Sequence, residues 1–231
     1  MAEAKILKSP TALLSASYEL YTQKFKTIAR VMLPPTFLTL LLTLTGLNDK
    51  NRAPQLTAHN PGLTLLGAAL TLVSIVVWLW AVVALFYVIS EKIDFQAAYR
   101  KAWEKLPSYF GVSLVAGLAI LGGSVFLIIP GIIFYVWFVF ATYVLVFEKK
   151  GIIESLKQSK KYVQGAWFAV AGRLLVGLLA LFLAAVVVSL MAGIINILRV
   201  PLLPDVISAL GQIFMTPFYT IYLYFLYKEL K

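Results

Sequence analysis

The longest apolar run in this chain extends from Leu63 to Ser90, and it holds no charged residue. An uncharged apolar run of about 18 or more residues is typical of a helix that crosses the hydrocarbon core of a bilayer. One further apolar run precedes it and four follow it, and all ten acidic residues lie outside the centres of the six. The predicted spans cover about 28–47, 63–90, 108–129, 132–147, 166–193 and 206–227.

The composition excludes an ordinary water-soluble domain. Hydrophobic residues make up 61% of the 231 residues and charged residues 13%, whereas soluble domains have roughly 45–50% and about 25%. A water-facing globule of this composition would lack the polar surface to cover itself, so the bilayer must act as its solvent. We therefore expect a single integral membrane domain over residues 1–231.

Three amphipathic segments, at 11–27, 91–106 and 148–164, precede the first, third and fifth spans. In the first segment, apolar residues recur at three- and four-residue intervals, and Ser9-Pro10 is a typical N-cap and first turn. Pro107 is predicted to end the second segment. The sequence thus predicts an all-α polytopic membrane protein with six transmembrane helices and three interfacial amphipathic helices on the cytoplasmic side.

The positive charges predict the orientation of the spans. Of the 20 Lys and Arg residues, 17 fall on the side of the amphipathic segments and three on the opposite side. The positive-inside rule then places both termini in the cytoplasm and the chain in the cytoplasmic (inner) membrane. This distribution accounts for the net charge of +10, and we expect no nucleic-acid partner. No cleavage pattern precedes the first span, which we expect to be retained.

The amphipathic segments also indicate an internal repeat. Each leads into an aromatic residue and then into a span, so that Phe25, Phe110 and Phe168 align. In this alignment Pro107 and Gly165 are equivalent breaks. Three helix-plus-hairpin units, related by an axis along the membrane normal, are one interpretation. Convergent patterning at the membrane interface is the other.

The connection between the third and fourth spans, Ile129-Pro130-Gly131, is too short and too apolar for an ordinary loop. Unpaired backbone groups are costly in hydrocarbon, so we expect this break at an interface or under a cover of protein. Pro130 and Gly131 are the candidate structural hinge.

The break belongs to a longer pattern, Ile129-Pro130-Gly131-Ile132 and then Phe147-Glu148-x-x-Gly151-x-x-Glu154-Ser155-Leu156-x-x-Ser159-x-x-Tyr162-Val163-x-Gly165-x-Trp167. This pattern resembles a group of prokaryotic multi-span families, which includes the membrane domain of some glycerophosphodiester phosphodiesterases and its uncharacterised free-standing relatives. The resemblance covers about residues 90–190. It implies a membrane module without the soluble phosphodiesterase domain, so no catalytic residue carries over. Glu154, Ser155 and Ser159 are expected to make helix-end or inter-helix contacts.

The sequence gives no pattern for catalysis. His59 is the one histidine, and it lies in a predicted outer loop, where a solvated loop residue is the simplest interpretation. Nucleophile, zinc-protease and phosphate-loop motifs are missing from the sequence. The chain also has no cysteine, which excludes disulfides and thiolate metal sites. We therefore predict a non-enzymatic protein with no catalytic residue, metal or cofactor.

Basic residues are the candidate lipid or anion contacts. Arg173 is predicted to lie roughly 10 Å inside the fifth span, at about 1.5 Å per residue. It either extends to the headgroups or contacts a lipid phosphate, a substrate anion or free carbonyls near Pro130-Gly131. A cluster of lysines follows the fourth span and either attracts anionic headgroups or only sets the topology. These lysines are Lys149, Lys150, Lys157, Lys160 and Lys161.

Two classes of function remain. The first is a non-enzymatic module of the cytoplasmic membrane that organises lipids, including anionic headgroups, or a protein partner that the sequence does not specify. The second is a transporter or lipid-translocating protein in which proline and glycine interrupt the helices. Transporters usually carry polar or charged groups at the membrane midplane, and this chain has almost none. The sequence therefore favours the first class or an apolar cargo. No pattern specifies an oligomeric state.

Overall fold

A computed structural model describes residues 7–47, 60–197 and 203–231. Over these residues the chain forms helices and no strand, which confirms the all-α prediction. The helices are α1 Pro10–Thr45, α2 Pro61–Ser90, α3 Phe95–Phe126, α4 Ile128–Phe138, α5 Ala141–Glu148, α6 Ile152–Val163, α7 Trp167–Ile197 and α8 Leu203–Leu230. His59 and most of the two predicted outer loops lie outside the described residues.

Among the described residues, six segments are long and apolar enough to cross a membrane, in agreement with the predicted number. Five are single helices (α1, α2, α3, α7 and α8), and the sixth is the consecutive pair α4 and α5, Ile128–Glu148. Helices α3 and α7 expose long rows of large apolar side chains, such as Leu118 at 60% and Phe182 at 63%. Such rows suit lipid but not water. The protein is a multi-pass membrane protein.

The amphipathic segments at 11–27 and 91–106 join the spans that follow them without a helix break. The N-cap prediction is confirmed, because the Ser9 hydroxyl accepts the N–H of Ala12 over 3.2 Å. The prediction that Pro107 ends a helix is wrong, because α3 continues through it. Ala102 before the proline and Val112 after it are both fully buried. Packing on both sides thus offsets the hydrogen bond that proline removes, a cost of about 3 kcal/mol.

The hairpin between α3 and α4 turns at a single residue, Leu127. The prediction of a break at Pro130-Gly131 is therefore wrong, since both residues lie in the first turn of α4. Proline is tolerated there because the first N–H groups of a helix have no partner within it. A Cβ atom on Gly131 would lie 2.0 Å from the Ser124 hydroxyl. Gly131 therefore permits close packing of α4 on α3, and the hinge at Pro130 and Gly131 stays a prediction.

The helices form a bundle in which α1 packs mainly on α8 and α2, while α3 packs on α2 and α4 and α7 packs on α8. The buried core lies towards the end where α2 finishes and α3 begins. In α2, the run Ala81–Leu85 is buried, whereas Leu65 and Leu66 near its start are exposed. Helix α7 buries only Val170, Leu174 and Gly177, all in its first turns. We call this tightly packed end the basic end, because contacts of Lys8, Lys24 and Lys150 lie there.

The structure bears on the predicted threefold repeat in one respect. The third amphipathic segment forms a separate helix, α6, and Gln164–Ala166 separate it from α7. Gly165 has φ +100, which favours glycine. Pro107 interrupts nothing, so its equivalence to Gly165 as a break is wrong. The repeat itself stays a prediction.

Candidate functional site

Helix α6 is a basic amphipathic helix that lies against the bundle. Its buried residues share one face, which packs on the rest of the protein. Lys157 and Lys161 are exposed on the other face. Glu154 in the first turn and Lys160 and Lys161 in the last turn match the helix dipole. The buried face consists of Ser155, Leu156, Ser159 and Val163.

Two hydrogen bonds fix α6 to the spans. The Ser159 hydroxyl donates to the Trp137 carbonyl of α4 over 2.6 Å. The Tyr162 hydroxyl donates to the Glu148 carboxylate over 2.8 Å. At the helix start, the Gly151 N–H donates to the Glu154 carboxylate over 3.4 Å. The expected inter-helix and helix-end roles of Ser159 and Glu154 are thereby confirmed, whereas the buried Ser155 hydroxyl has no hydrogen-bond partner among the described residues.

Glu148 connects α5, α6 and α8 at the basic end. Its side chain is only 10% exposed, and a buried carboxylate is costly unless it is paired. One carboxylate oxygen accepts hydrogen bonds from the Tyr227 hydroxyl at 2.7 Å and the Tyr162 hydroxyl at 2.8 Å. The other oxygen lies 3.3 Å from the Lys150 ammonium. Burial and the hydrogen bond to Glu148 raise the pKa of Tyr162, so this phenol keeps its proton at neutral pH.

The five predicted lysines do not form one cluster. Three of them line a cleft of about 250 Å³ on the outer side of α6, together with Glu154 and Gln158. Lys160 instead lies over the indole of Trp137, with 4.0 Å between Nζ and the ring centroid. Lys149 follows the end of α5, in the left-handed region at φ 55. The cleft lysines are Lys150, Lys157 and Lys161.

Arg173 contacts the N-terminal arm. Its guanidinium donates to the carbonyls of Leu7 at 2.8 Å, Lys8 at 2.9 Å and Ala169 at 2.9 Å. The alternative in which it binds carbonyls near Pro130-Gly131 is wrong. The residue lies in the second turn of α7, close to where α1 begins, and the arm offers carbonyls that precede the first helical turn.

The same arm meets the end of α8. The Lys8 N–H donates to the Glu229 carboxylate over 2.9 Å, and its ammonium lies 3.8 Å from the second carboxylate oxygen. The Tyr222 hydroxyl of α8 donates to the backbone carbonyl of Arg173 over 2.7 Å. These contacts join α1, α7 and α8 at the basic end.

Lys24 makes a further, partly buried contact that the sequence does not indicate. Its ammonium donates to the carbonyls of Val88 at 2.6 Å, Ile89 at 3.1 Å and Glu91 at 2.9 Å. The last carbonyls of a helix have no partner within it, and a cation there is favoured by the helix dipole. Lys24 therefore stabilises the C-terminal end of α2.

A cavity of about 530 Å³ lies between α2, α7 and α8. Its walls are mostly apolar and include Trp78 of α2 and Phe182 of α7. Thr216 and Tyr219 of α8 bring hydroxyl groups to it. The Tyr219 hydroxyl also lies 3.0 Å from the hydroxyl of Tyr135 on α4. This cavity suits an apolar molecule rather than an ion.

The sequence alone does not identify Glu148, Tyr162 and Tyr227 as residues that anchor α6. Glu148 and Tyr162 belong to the quoted pattern, which was the available signal, but nothing local connects them to Tyr227. Among the residues that the structure describes, no group of three or more His, Cys, Asp or Glu side chains could hold a metal ion.

The chain was compared with protein-family models, curated proteins and solved structures, and none of the three comparisons finds a match. The resemblance to membrane domains of glycerophosphodiester phosphodiesterases therefore stays a prediction. What the structure adds is that residues of that pattern attach α6 to α4 and α5, and that Glu148 of the same pattern accepts a hydrogen bond from Tyr227 of α8.

Proposed function

We propose that this chain is a non-enzymatic protein of the cytoplasmic membrane that gathers anionic lipids at its basic end. The observation that carries the proposal is the fixed position of α6. Ser159 and Tyr162 tie its inner face to the bundle, while Lys157 and Lys161 remain exposed on its outer face. A lysine near the membrane surface contributes about 1 kcal/mol of attraction to anionic headgroups.

The rigid attachment distinguishes α6 from a segment that only sets topology. Topology requires positive charge near a span, whatever its geometry. In this structure the cleft lysines share one surface with Glu154 and Gln158. A fixed surface loses less side-chain and backbone freedom when a headgroup binds than a loose segment would. The geometry therefore supports recognition of headgroups in addition to orientation.

Lipid enrichment around the protein tests this function. The protein is placed in phosphatidylcholine bilayers with a minor fraction of phosphatidylglycerol and extracted with an amphipathic polymer, and the lipids of the particle are quantified by mass spectrometry. We expect phosphatidylglycerol to be enriched around the wild type and depleted towards the bulk fraction in a Lys157→Gln, Lys161→Gln variant.

A matched control removes two positive charges elsewhere. Lys26 and Arg100 are exposed residues of α1 and α3, and a Lys26→Gln, Arg100→Gln variant should keep the enrichment. An equal loss in both variants would show that net charge, and not the surface of α6, attracts the lipid. Absence of enrichment around the wild type would contradict the proposed function.

The orientation is part of the proposal. The positive-inside rule, by which cytoplasmic loops carry most of the Lys and Arg residues, supports a cytoplasmic location of the basic end. Because the chain has no cysteine, a Lys231→Cys variant carries a single thiol. In intact bacterial cells that thiol should resist a membrane-impermeant maleimide and react after the cells are opened. Labelling in intact cells would place the C-terminus on the outer side.

A second candidate function, movement of an apolar-chain molecule, is favoured by the cavity between α2, α7 and α8. The cavity walls include the aromatic side chains of Trp78 and Phe182 and only a few residues with hydroxyl groups, so they favour an apolar chain. A fluorescent-lipid flip assay in vesicles tests it, with an Ala185→Trp variant to fill the cavity. Flux through the wild type that this variant abolishes would favour translocation, and vesicles without protein-dependent flux would exclude it for that probe.

A further inference from the structure

A second groove, of about 510 Å³, lies at the basic end between α4 and the start of α7. Residues of α4 form one wall, and the turn into α7 and its first residues form the other. Helix α4 makes few contacts with α7, which leaves the groove open between them. Its lining includes Ile129, Ile133, Trp137, Gly165, Trp167 and Phe168.

The groove opens to the surroundings of the bundle. Ile129 on one wall is 68% exposed and Phe168 on the other is 86% exposed. Both belong to segments that can cross a membrane. In that position the groove faces lipid chains, and its apolar walls accept a hydrocarbon chain with no loss of hydrogen bonds.

A positive charge lies over one residue of the groove wall. Lys160 Nζ is 4.0 Å from the ring centroid of Trp137, and the indole of Trp137 is part of the wall. No acidic side chain lies within ion-pair distance of Lys160 in the described part of the chain. The ammonium is thus held at the groove by a cation–π contact, with its charge not neutralised by a carboxylate.

An indole N–H at the same groove lacks a partner. Trp167 Nε1 is buried and makes no hydrogen bond among the described residues, although most buried polar groups in proteins are paired. Gly165, with φ +100, forms the turn that brings Trp167 opposite α4. An oxygen atom of a lipid bound in the groove would be an acceptor for this N–H.

We propose that this groove binds one anionic phospholipid, with an acyl chain along Ile129 and Ile133 and the phosphate at Lys160. The inference deepens the proposed function and rests on it for the choice of an anionic lipid. Unlike the proposed function, it specifies a single site that binds one lipid. The outer lysines of α6 would gather exchangeable lipids, whereas the groove would retain one.

Native mass spectrometry of the protein in detergent tests the inference. The wild type is delipidated and titrated with phosphatidylglycerol or with phosphatidylcholine of the same chains. We expect one phosphatidylglycerol to bind more tightly than any further copy and more tightly than phosphatidylcholine. A Lys160→Gln variant should weaken that first binding by about fivefold, the equivalent of one interfacial lysine.

A variant that fills the groove distinguishes binding at this site from nonspecific electrostatic attraction of anionic lipids to the protein. Ile133→Trp should lose the first lipid, whereas Ile194→Trp, the same change at a 61% exposed residue of α7, should keep it. Equal binding by these two variants would overturn the proposal, as would equal affinities of the wild type for the two lipids.

The outcomes also distinguish this inference from the proposed function. If the Lys157→Gln, Lys161→Gln variant loses lipid enrichment and the wild type retains no single lipid, the groove is empty and the proposed function stands. If one phosphatidylglycerol is retained but no enrichment occurs in bilayers, the groove is a lipid site and the surface role of α6 is wrong.

Discussion

The guanidinium of Arg173 donates a 2.8 Å hydrogen bond to the carbonyl of Leu7, a residue 166 positions earlier in the chain. A second hydrogen bond reaches the carbonyl of Lys8 at 2.9 Å. An arginine within an apolar helix would otherwise have to find water or a headgroup. In this protein it holds the N-terminal arm against α7, so its first role is structural.

Replacement of Arg173 by alanine should release the arm. Hydrogen bonds to charged groups are worth about 1.5–3 kcal/mol, so we expect amide exchange in residues 7–13 to accelerate by roughly tenfold or more. Hydrogen exchange followed by mass spectrometry in detergent measures this. Arg100→Ala, at an exposed residue of α3, is the control. Unchanged exchange in Arg173→Ala would mean that the arm is held by Glu229 alone.

Replacement of Glu148 should destabilise the junction of α5, α6 and α8. Glu148→Leu leaves the hydroxyls of Tyr162 and Tyr227 without their acceptor, at about 1–3 kcal/mol for a buried group. Glu148→Gln keeps an acceptor oxygen and should cost less. Thermal unfolding in detergent gives the order of stability as wild type, then Glu148→Gln, then Glu148→Leu.

A double variant tests whether the lost hydrogen bond between Tyr227 and Glu148 causes this destabilisation. Tyr227→Phe removes a hydroxyl whose partner in the wild type is Glu148, and it should destabilise the wild type more than it destabilises Glu148→Leu. Equal effects in both backgrounds would show that the hydrogen bond between Tyr227 and Glu148 contributes nothing measurable.

Replacement of Gly131 by alanine should separate α4 from α3. The new Cβ would lie 2.0 Å from the Ser124 hydroxyl and 3.2 Å from its Cα atom, and overpacking of this kind costs about 1–3 kcal/mol. Gly117→Ala is the matched control, because its Cβ would meet no atom within 4 Å. The control should be neutral or more stable in thermal unfolding. Ser124→Gly combined with Gly131→Ala should restore part of the stability that Gly131→Ala loses. If Gly131→Ala costs no stability and Ser124→Gly restores none, the close packing of α4 on α3 is contradicted.

Replacement of Lys24 by methionine should loosen the C-terminal end of α2. Three carbonyls lose their donor, so we expect faster amide exchange in residues 86–93, where α2 ends. Lys26→Met, at an exposed position two residues further along α1, should leave that segment unchanged. Equal exchange in the two variants would show that the carbonyls are satisfied by water instead.

Local pattern was enough to predict the parts of this fold that depend on hydrophobicity. The six spans follow from long apolar runs with few charges, and the N-cap at Ser9 follows from a short local motif. Local pattern did not predict that α3 continues through Pro107 or that the hairpin turns at Leu127. Whether a helix continues through Pro107 depends on the packing of its two flanks, and the turn at Leu127 depends on the contact of Gly131 with Ser124.

The candidate site was predicted in composition but not in geometry. The lysines of α6 were visible as a cluster, but their division between an outer cleft and the Trp137 ring depends on tertiary contacts. Glu148 is satisfied by hydroxyls 14 and 79 residues away. Sequence periodicity identifies only neighbours along one helix, so it does not predict partners on other helices.

The contact between Lys8 and Glu229 has a consequence for how the protein is made. It joins residues 221 positions apart, and α1 packs most extensively on α8. Since α1 precedes α8 in the chain, α1 is synthesised before its main neighbour and can pack only on α2 until α8 is inserted. Closure of the bundle therefore follows the insertion of α8, when α1 acquires its main neighbour.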